Sequence, residues 1–332
     1  MSLLKVEELS VGFRSGRQLL GIIDRISFEI GRGEILALVG ESGCGKSAAC
    51  LSLTRLNANS AVISGKSVVF ETREGKKCDL LEISPKEMRK IRGREIAYIF
   101  QEPLSSLNPV FRIGDQIAEV LTLHRPEVKD LHSEIVKLLG AVGIPDPEAR
   151  MMNFPHELSG GMQQRVMIAM ALAGHPSLLI ADEPTTALDV TIQAQIMELL
   201  EELRRTNGTS IILITHNFGV VAQLADRVAV MYAGHIVECA PVQELLADPR
   251  HPYTRALLAA VPVLGGESRK LVTIPGQVPA PADFPAGCRF CGRCSEQENE
   301  FAGKCEKEIP PAVEISPGHT VRCWKQALLK NG

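Results

Sequence analysis

Three short stretches of this 332-residue chain carry residue types suited to phosphate chemistry. The first is Gly40-Glu41-Ser42-Gly43-Cys44-Gly45-Lys46-Ser47, which fits G-x-x-x-x-G-K-[ST] and is followed by Ala48. Its glycines let the backbone wrap an anion with N–H groups turned inward, and a helix starting there adds its positive end. Lys46 then reaches the β- and γ-phosphates of ATP, and the Ser47 hydroxyl ligates Mg2+. The second stretch is Leu178-Leu179-Ile180-Ala181-Asp182-Glu183, an apolar strand that delivers carboxylates to its carboxyl end, where ligands bind in parallel sheets. Asp182 suits Mg2+, and Glu183 suits a general base that polarises the attacking water. The third is Leu158-Ser159-Gly160-Gly161-Met162-Gln163-Gln164-Arg165, a second anion cradle at a helix start. One chain has little use for a second cradle on one nucleotide, so this one is expected to serve a nucleotide held by another subunit.

These groups need elements to hold them. Leu3–Phe13 and Ile26–Ile30 alternate as half-buried strands do, and Ile35–Val39 reads as a fully buried strand running into the glycine loop. From Lys46 the pattern is helical, so strand, loop and helix follow in the order a phosphate loop requires. Ile113–Leu123 and Leu131–Val142 have helical spacing between proline-bearing turns. Leu178–Ala181 and Ile211–Ile214 return as buried strands around an amphipathic helix over Thr191–Arg205, ended by Asn207-Gly208. Strands alternating with helices predict a largely parallel sheet.

Composition narrows the class. Hydrophobic residues make up 45% and charged residues 23%, and the net charge is −3, with no pull toward nucleic acid. No apolar run approaches the roughly 20 residues that span a bilayer. No signal peptide is apparent at Met1–Val6, which sets the expectation of a cytosolic protein docked to a membrane through a partner. Cysteines are unevenly placed: Cys288, Cys291, Cys294, Cys305 and Cys323 crowd the tail, and in a reducing compartment such crowding reads first as a metal or iron–sulfur site.

In this order, Gly40–Ser47, Leu158–Arg165 and Leu178–Glu183 resemble the nucleotide-binding subunits of ABC transporters, over about Leu3–Ala247. The resemblance implies an α/β fold: a P-loop ABC ATPase core with a RecA-like parallel sheet, an antiparallel β subdomain and a helical subdomain, plus a small Cys-rich C-terminal extension. It places the ATPase domain at 1–248, the helical subdomain at about 103–157 and the extension at 249–332. It also implies that two subunits sandwich two ATP molecules, each phosphate loop facing the partner's signature motif. The implied catalytic residues are Lys46, Glu183 and His216, the last as the switch histidine on the γ-phosphate. The implied nucleotide-binding set is Phe13 (stacked on adenine), Gly40, Glu41, Ser42, Gly43, Cys44, Gly45, Lys46, Ser47 and Ala48, with Gln101, Ser159, Gly160, Gly161, Gln163, Asp182 and Asp189. Ser47, Gln101 and Asp182 are the implied Mg2+ residues, and Ala187-Leu188-Asp189 resembles the D-loop. The family usually has Ser at position 44 and Asp at 217. Here they are Cys44, whose thiol is expected to be sensitive to oxidation, and Asn217.

Two further stretches, Gln101–Pro109 and His251–Leu258, resemble the dipeptide/oligopeptide/nickel branch, as does Gly318-His319-Thr320-Val321 before the last cysteine. The branch implies that Cys288, Cys294, Cys305 and Cys323 hold a [4Fe–4S] cluster, with Cys291 as alternative ligand and Zn2+ as alternative metal. It implies an importer ATPase for peptides at the cytoplasmic face of the inner membrane. Its partners are a second ABC ATPase subunit (heterodimer favoured over homodimer), two permease subunits and an extracytoplasmic solute-binding protein, with no nucleic acid. A nickel or other small-solute importer is the alternative. A soluble ABC ATPase of translation or DNA repair is more distant, because the chain holds one cassette and no long heptad stretch.

Overall fold

The computed structural model describes residues 2–102, 106–185, 189–260, 274–296 and 302–329. The elements, in chain order, are β1 (Ser2–Ser15), β2 (Gln18–Gly31), β3 (Ile35–Val39), α1 (Lys46–Leu53), β4 (Ala61–Ser64), β5 (Ser67–Glu71), β6 (Lys77–Asp79), α2 (Pro85–Ile91) and β7 (Ile96–Ile99). Next come α3 (Ile113–His124), α4 (Leu131–Ala141), α5 (Pro147–Arg150), α6 (Gly160–Ala173), β8 (Leu178–Asp182), α7 (Val190–Asn207), β9 (Ser210–Ile214) and α8 (Phe218–Leu224). The chain closes with β10 (Arg227–Tyr232), β11 (His235–Pro241), α9 (Val242–Ala247), α10 (Pro252–Ala259), α11 (Ala302–Lys307), β12 (Ala312–Ser316), β13 (His319–Arg322) and α12 (Trp324–Leu329). Two compact units result: 1–4, 30–34 and 69–214 form the first, and 5–29, 35–68 and 215–332 the second.

In the first unit β7, β8 and β9 are parallel, with Ile96 opposite Leu178 and Asp182 opposite Ile214. Ser210–Ile214 is buried throughout, as expected of a parallel strand covered on both faces. The helices α3, α4 and α6 pack together, and Ile113, Ile117, Leu121, Ile135, Leu139 and Ile168 on them are buried. The amphipathic helix expected at Thr191–Arg205 is α7, one residue longer at its start and two at its end; it closes on Gly208, whose φ of 65° forms the left-handed cap.

In the second unit a two-residue turn, Gly16-Arg17, joins β1 to β2, and β4 pairs antiparallel to β1 with Phe13 opposite Ala61. The sequence pattern had shown only the end of β2, because its first half is exposed and lacks a buried stripe. The parallel pair β3–β10 sets Val39 opposite Val230, and β11 returns antiparallel with a bulge between Val230 and Met231.

The described part of the cysteine-rich tail adds strands to this same sheet: β13 pairs with β11 and β12 pairs with β13. An aromatic cluster fastens it further. Phe290 lies 5.1 Å from Tyr232, 5.3 Å from Tyr253 and 5.9 Å from His251, ring centre to ring centre. Such pairs add about 0.5–1.5 kcal/mol each beyond area burial. Arg289 donates to the Ala233 carbonyl and packs 4.2 Å over Phe284.

The five tail cysteines do converge, but not on a metal centre. Cys288, Cys291, Cys294, Cys305 and Cys323 line one cavity with His251, Phe290 and Trp324. Its volume is about 30 Å3, room for about one or two water molecules. Burial pushes the Cys288 thiol up to about 12 and the Cys305 thiol up to about 11. Among the described residues no group of three or more His, Cys, Asp or Glu side chains is placed to hold a metal ion. The [4Fe–4S] expectation, and its Zn2+ alternative, is therefore corrected: the cysteine spacing signalled clustering, and the cluster is a packed thiol core.

A buried ion pair secures β13. His319 Nε2 lies 2.8 Å from Glu238 Oε1 and Nδ1 lies 2.9 Å from Glu244 Oε1. Only an imidazolium donates from both nitrogens. Glu238 also accepts the N–H groups of Arg250 and His251, at 2.7 and 3.0 Å. Burial opposes charge on both partners, but their mutual hydrogen bond prevails and holds His319 above its ordinary 6.5 and Glu238 below its ordinary 4.5. The His319 contribution is thus complete below its unfolded pKa and fades as pH rises through the raised value. The Glu238 contribution is complete above its ordinary value and fades as pH falls through the depressed one. His319→Ala, which leaves the buried Glu238 with its two backbone donors but no cation, is expected to cost about 3–5 kcal/mol in denaturant unfolding. The milder His319→Gln is expected to flatten the loss of stability as pH rises above the ordinary histidine value of about 6.5. Unchanged pH dependence in His319→Gln would contradict the charged pair.

Candidate functional site

The glycine loop in the second unit is shaped by close packing. Gly40 has φ 152°, and a Cβ there would sit 2.2 Å from the Met231 carbonyl oxygen, just past the β10 bulge. Gly45 has φ 104° and precedes α1; a Cβ there would meet Ile23 Cδ1 at 2.4 Å. Only glycine fits either position. The Cys44 carbonyl accepts the Gly234 N–H at 2.9 Å, and Gly234 in turn accepts the Asp24 N–H at 3.1 Å. Lys46 is buried, with its ammonium at the centre of the loop, donating to the Gly40 carbonyl at 2.7 Å and the Glu41 carbonyl at 3.1 Å. Ser47 and Ala48 follow in the first turn of α1, both partly exposed, and Ser42 and Gly43 are exposed on the rim.

Cys44 differs from expectation. It is fully buried, and burial raises its thiol pKa more than Lys46 lowers it. A neutral, inaccessible thiol is a poor nucleophile, so its packing opposes the expected sensitivity to oxidation. Its sulfur would lie 2.9 Å from a Cβ at position 40, so the residue works as filler beneath the loop.

Also in the second unit, His216 is exposed after β9, and the neighbouring Thr215 N–H donates to the Leu38 carbonyl at 3.3 Å. Asn217 caps α8: its Oδ1 accepts from the Gly219 and Val220 N–H groups at 2.9 and 3.4 Å. An amide performs this capping as well as a carboxylate, which accounts locally for Asn where the family usually has Asp. Phe13 is partly exposed at the end of β1.

The first unit holds the other expected groups. Asp182 ends β8, partly exposed. Glu183 follows with φ 47°, a left-handed conformation that is costly for a side-chain-bearing residue, and its N–H is tied to the Ile214 carbonyl at 2.9 Å. Gln101 is exposed and donates from Nε2 to Glu183 Oε2 at 3.4 Å, so these two come together. Ser159 caps α6, its hydroxyl accepting the Met162 N–H at 3.4 Å, and the first turn of α6 carries no acidic residue. The exposed N–H groups there suit an anion. A depression of about 470 Å3 joins Ser159, Gly160 and Gly161 to Asp189 and Arg165. The Asp189 carboxylate caps α7 through the Ile192 N–H at 2.9 Å.

Gln163 is placed differently from the other binding candidates. It is buried, and its amide donates to the Pro155 and Leu158 carbonyls at 2.8 and 3.1 Å, so it holds the loop ahead of Ser159. Gln164, not singled out from sequence, donates to the Pro184 carbonyl at 2.8 Å and braces the backbone just after Glu183. Of the D-loop stretch, Ala187 and Leu188 lie outside the described residues, as do Pro103, Leu104 and Ser105 of the glutamine-loop stretch. No helix among the described residues is long and apolar enough to cross a membrane.

Comparison with known proteins identifies the family. The ABC transporter family model matches residues 23–186, and the model for the oligopeptide/dipeptide transporter C-terminal region matches 237–300. The oligopeptide transport ATP-binding protein AppD of Bacillus subtilis is 47% identical, with 97% of this chain and 96% of that protein covered. The dipeptide transport ATP-binding protein DppD of the same organism is 45% identical, covering 97% and 94%. Among solved structures, cbiO1 of Clostridium perfringens, part of an ABC transporter complex, superposes with TM-score 0.62 at 29% identity, covering 74% of this chain and 91% of that one. A dimeric ATP-binding cassette bound to ADP and Pi shares the fold at TM-score 0.62 and 24% identity, covering 72% and 98%. With its phosphate loop, paired carboxylates and capped signature helix in place, the chain belongs to the ATP-hydrolysing subunits of ABC transporters.

Proposed function

We propose that this subunit powers the import of di- and oligopeptides across the cytoplasmic membrane. The observation that carries the reading is the match of residues 237–300 to the oligopeptide/dipeptide transporter C-terminal region, in relatives aligned over nearly the whole chain. In this reading 1–248 is the ATPase domain, 103–157 its helical subdomain and 249–332 the extension. Phe13 stacks on adenine, the Gly40–Ala48 backbone and Lys46 hold the phosphates, and Ser159–Gly161 with Asp189 face a nucleotide on a second ATPase subunit, related but not identical. Ser47 and Asp182 present hard oxygen donors, the chemistry Mg2+ prefers, and both are partly exposed; Gln101 completes the set. The metal, when bound, neutralises phosphate charge.

The chain's own residues supply the rest. Glu183, held in its strained left-handed turn, takes the proton of the attacking water as general base. Lys46 and His216 stabilise charge developing on the γ-phosphate. The exposed Gln101 passes the motion on to a pair of membrane permeases, which receive peptide from an extracytoplasmic solute-binding protein. The subunit thus sits at the cytoplasmic face of the inner membrane, without nucleic acid.

Glu183→Gln is expected to retain ATP binding and lose about 100-fold or more in turnover, whereas Lys46→Ala is expected to lose nucleotide binding itself. Equilibrium binding and steady-state hydrolysis measured on the same preparations check both, and full turnover in Glu183→Gln contradicts the general-base role. In cells, deleting the subunit is expected to abolish uptake of labelled di- and oligopeptides and to leave nickel uptake unchanged. The reverse pattern favours a small-solute importer of the same branch.

A further inference from the structure

Arg293 belongs to the cysteine-rich run, yet its guanidinium ends on the phosphate loop. Nη1 donates to Glu41 Oε2 at 2.8 Å and Nη2 to Glu41 Oε1 at 3.0 Å, a two-pronged pair. Other contacts fix the fork: Nε donates to the Pro275 carbonyl at 2.8 Å, Nη2 to the Gly276 carbonyl at 3.3 Å and Nη1 to the Tyr232 hydroxyl at 3.3 Å. The side chain is only 8% exposed. Glu41 is gripped at its backbone too. Its N–H donates to the Tyr253 hydroxyl at 2.9 Å, and its carbonyl accepts from Lys46 Nζ and from the Cys44 N–H at 3.3 Å. Tyr253 is fully buried in the aromatic cluster with Tyr232 and Phe290.

Glu41 is an acid in a loop built to hold an anion. An unpaired carboxylate there repels phosphate. A bidentate guanidinium cancels the charge and dictates its direction, which a lone ammonium does less well. Tyr253 meanwhile takes the Glu41 N–H, which sets the orientation of the peptide that carries the carbonyl bound to Lys46.

We infer that Arg293, with Tyr253, is a positioning residue for the ATPase: through Glu41, the carboxy-terminal extension holds the phosphate loop in the form that accepts ATP. The inference rests on the reading of Gly40–Ser47 as the ATP loop.

The test is titration of the purified full-length chain with a fluorescent ATP analogue, with KM and kcat measured in the assembled transporter. Arg293→Ala is expected to weaken ATP binding about tenfold and to raise KM more than it lowers kcat. Adding Glu41→Gln to Arg293→Ala is expected to recover most of that affinity, because the exposed carboxylate is gone. Tyr253→Phe keeps the ring packing, so its fold survives even where Arg293→Ala does not, and it is expected to weaken binding about two- to threefold. Parental affinity in both Arg293→Ala and Tyr253→Phe overturns the inference, as does a double variant no better than Arg293→Ala. A parent chain that binds no ATP overturns the ATP reading of the loop and this inference with it, whereas a parent that binds, matched by its variants, overturns this inference alone.

Discussion

The close approach of Gly40 to the Met231 carbonyl constrains the loop from its first residue. It leaves no room for a Cβ, and it couples the start of the loop to the bulge in the β10–β11 pair. The loop then has to bury a lysine without burying an unpaired charge. The carbonyls of Gly40 and Glu41 turn inward to meet Lys46, and the buried Cys44 fills the space beneath. The glycines at 40 and 45 are thus packing requirements as well as conformational ones.

The loop's second residue brings in the rest of the unit. Glu41 is held by Arg293 and Tyr253, and their surroundings are the aromatic cluster and the thiol-lined cavity. A second set of polar contacts runs through Asp24, which lies 3.0 Å from His235 Nε2 and 3.5 Å from Arg289 Nη2. The hydrogen bond from His235 leads the effects that hold the Asp24 carboxyl far below its ordinary value, while burial drives His235 itself down to about 4. With β13 on the edge of β11, the described tail residues are structurally continuous with the strands around the phosphate loop. Their composition, rich in proline and cysteine, carries no mark of that pairing.

What was legible in the sequence was local. Gly40–Ser47 and Leu178–Glu183 each place their chemistry within eight residues, and each lies where a strand runs out toward a following helix. The helices α3, α4 and α7 were legible because each has one buried stripe. Long-range partners left no such trace. Nothing in the spacing of Glu41 and Arg293, or of Glu238 and His319, marks them as pairs, because the residues between are folded into other elements. Gln163 and Gln164 differ in role only through which carbonyls lie within reach. The cysteines are a related case: their spacing shows that thiols gather but not how the side chains around them are placed.

The Arg293–Glu41 pair also bears on how the protein is made. The partners are 252 residues apart, so the loop leaves the ribosome long before its clamp exists. At about 5–20 residues per second the interval is roughly 10–50 s. During it Glu41 has no guanidinium beside it, and from the synthesis of β11 until that of β13 the edge of β11 is open, an edge of the kind that chaperones shield. Completion of the tail therefore doubles as a checkpoint of synthesis: a chain cut short before Arg293 emerges with its phosphate loop unclamped.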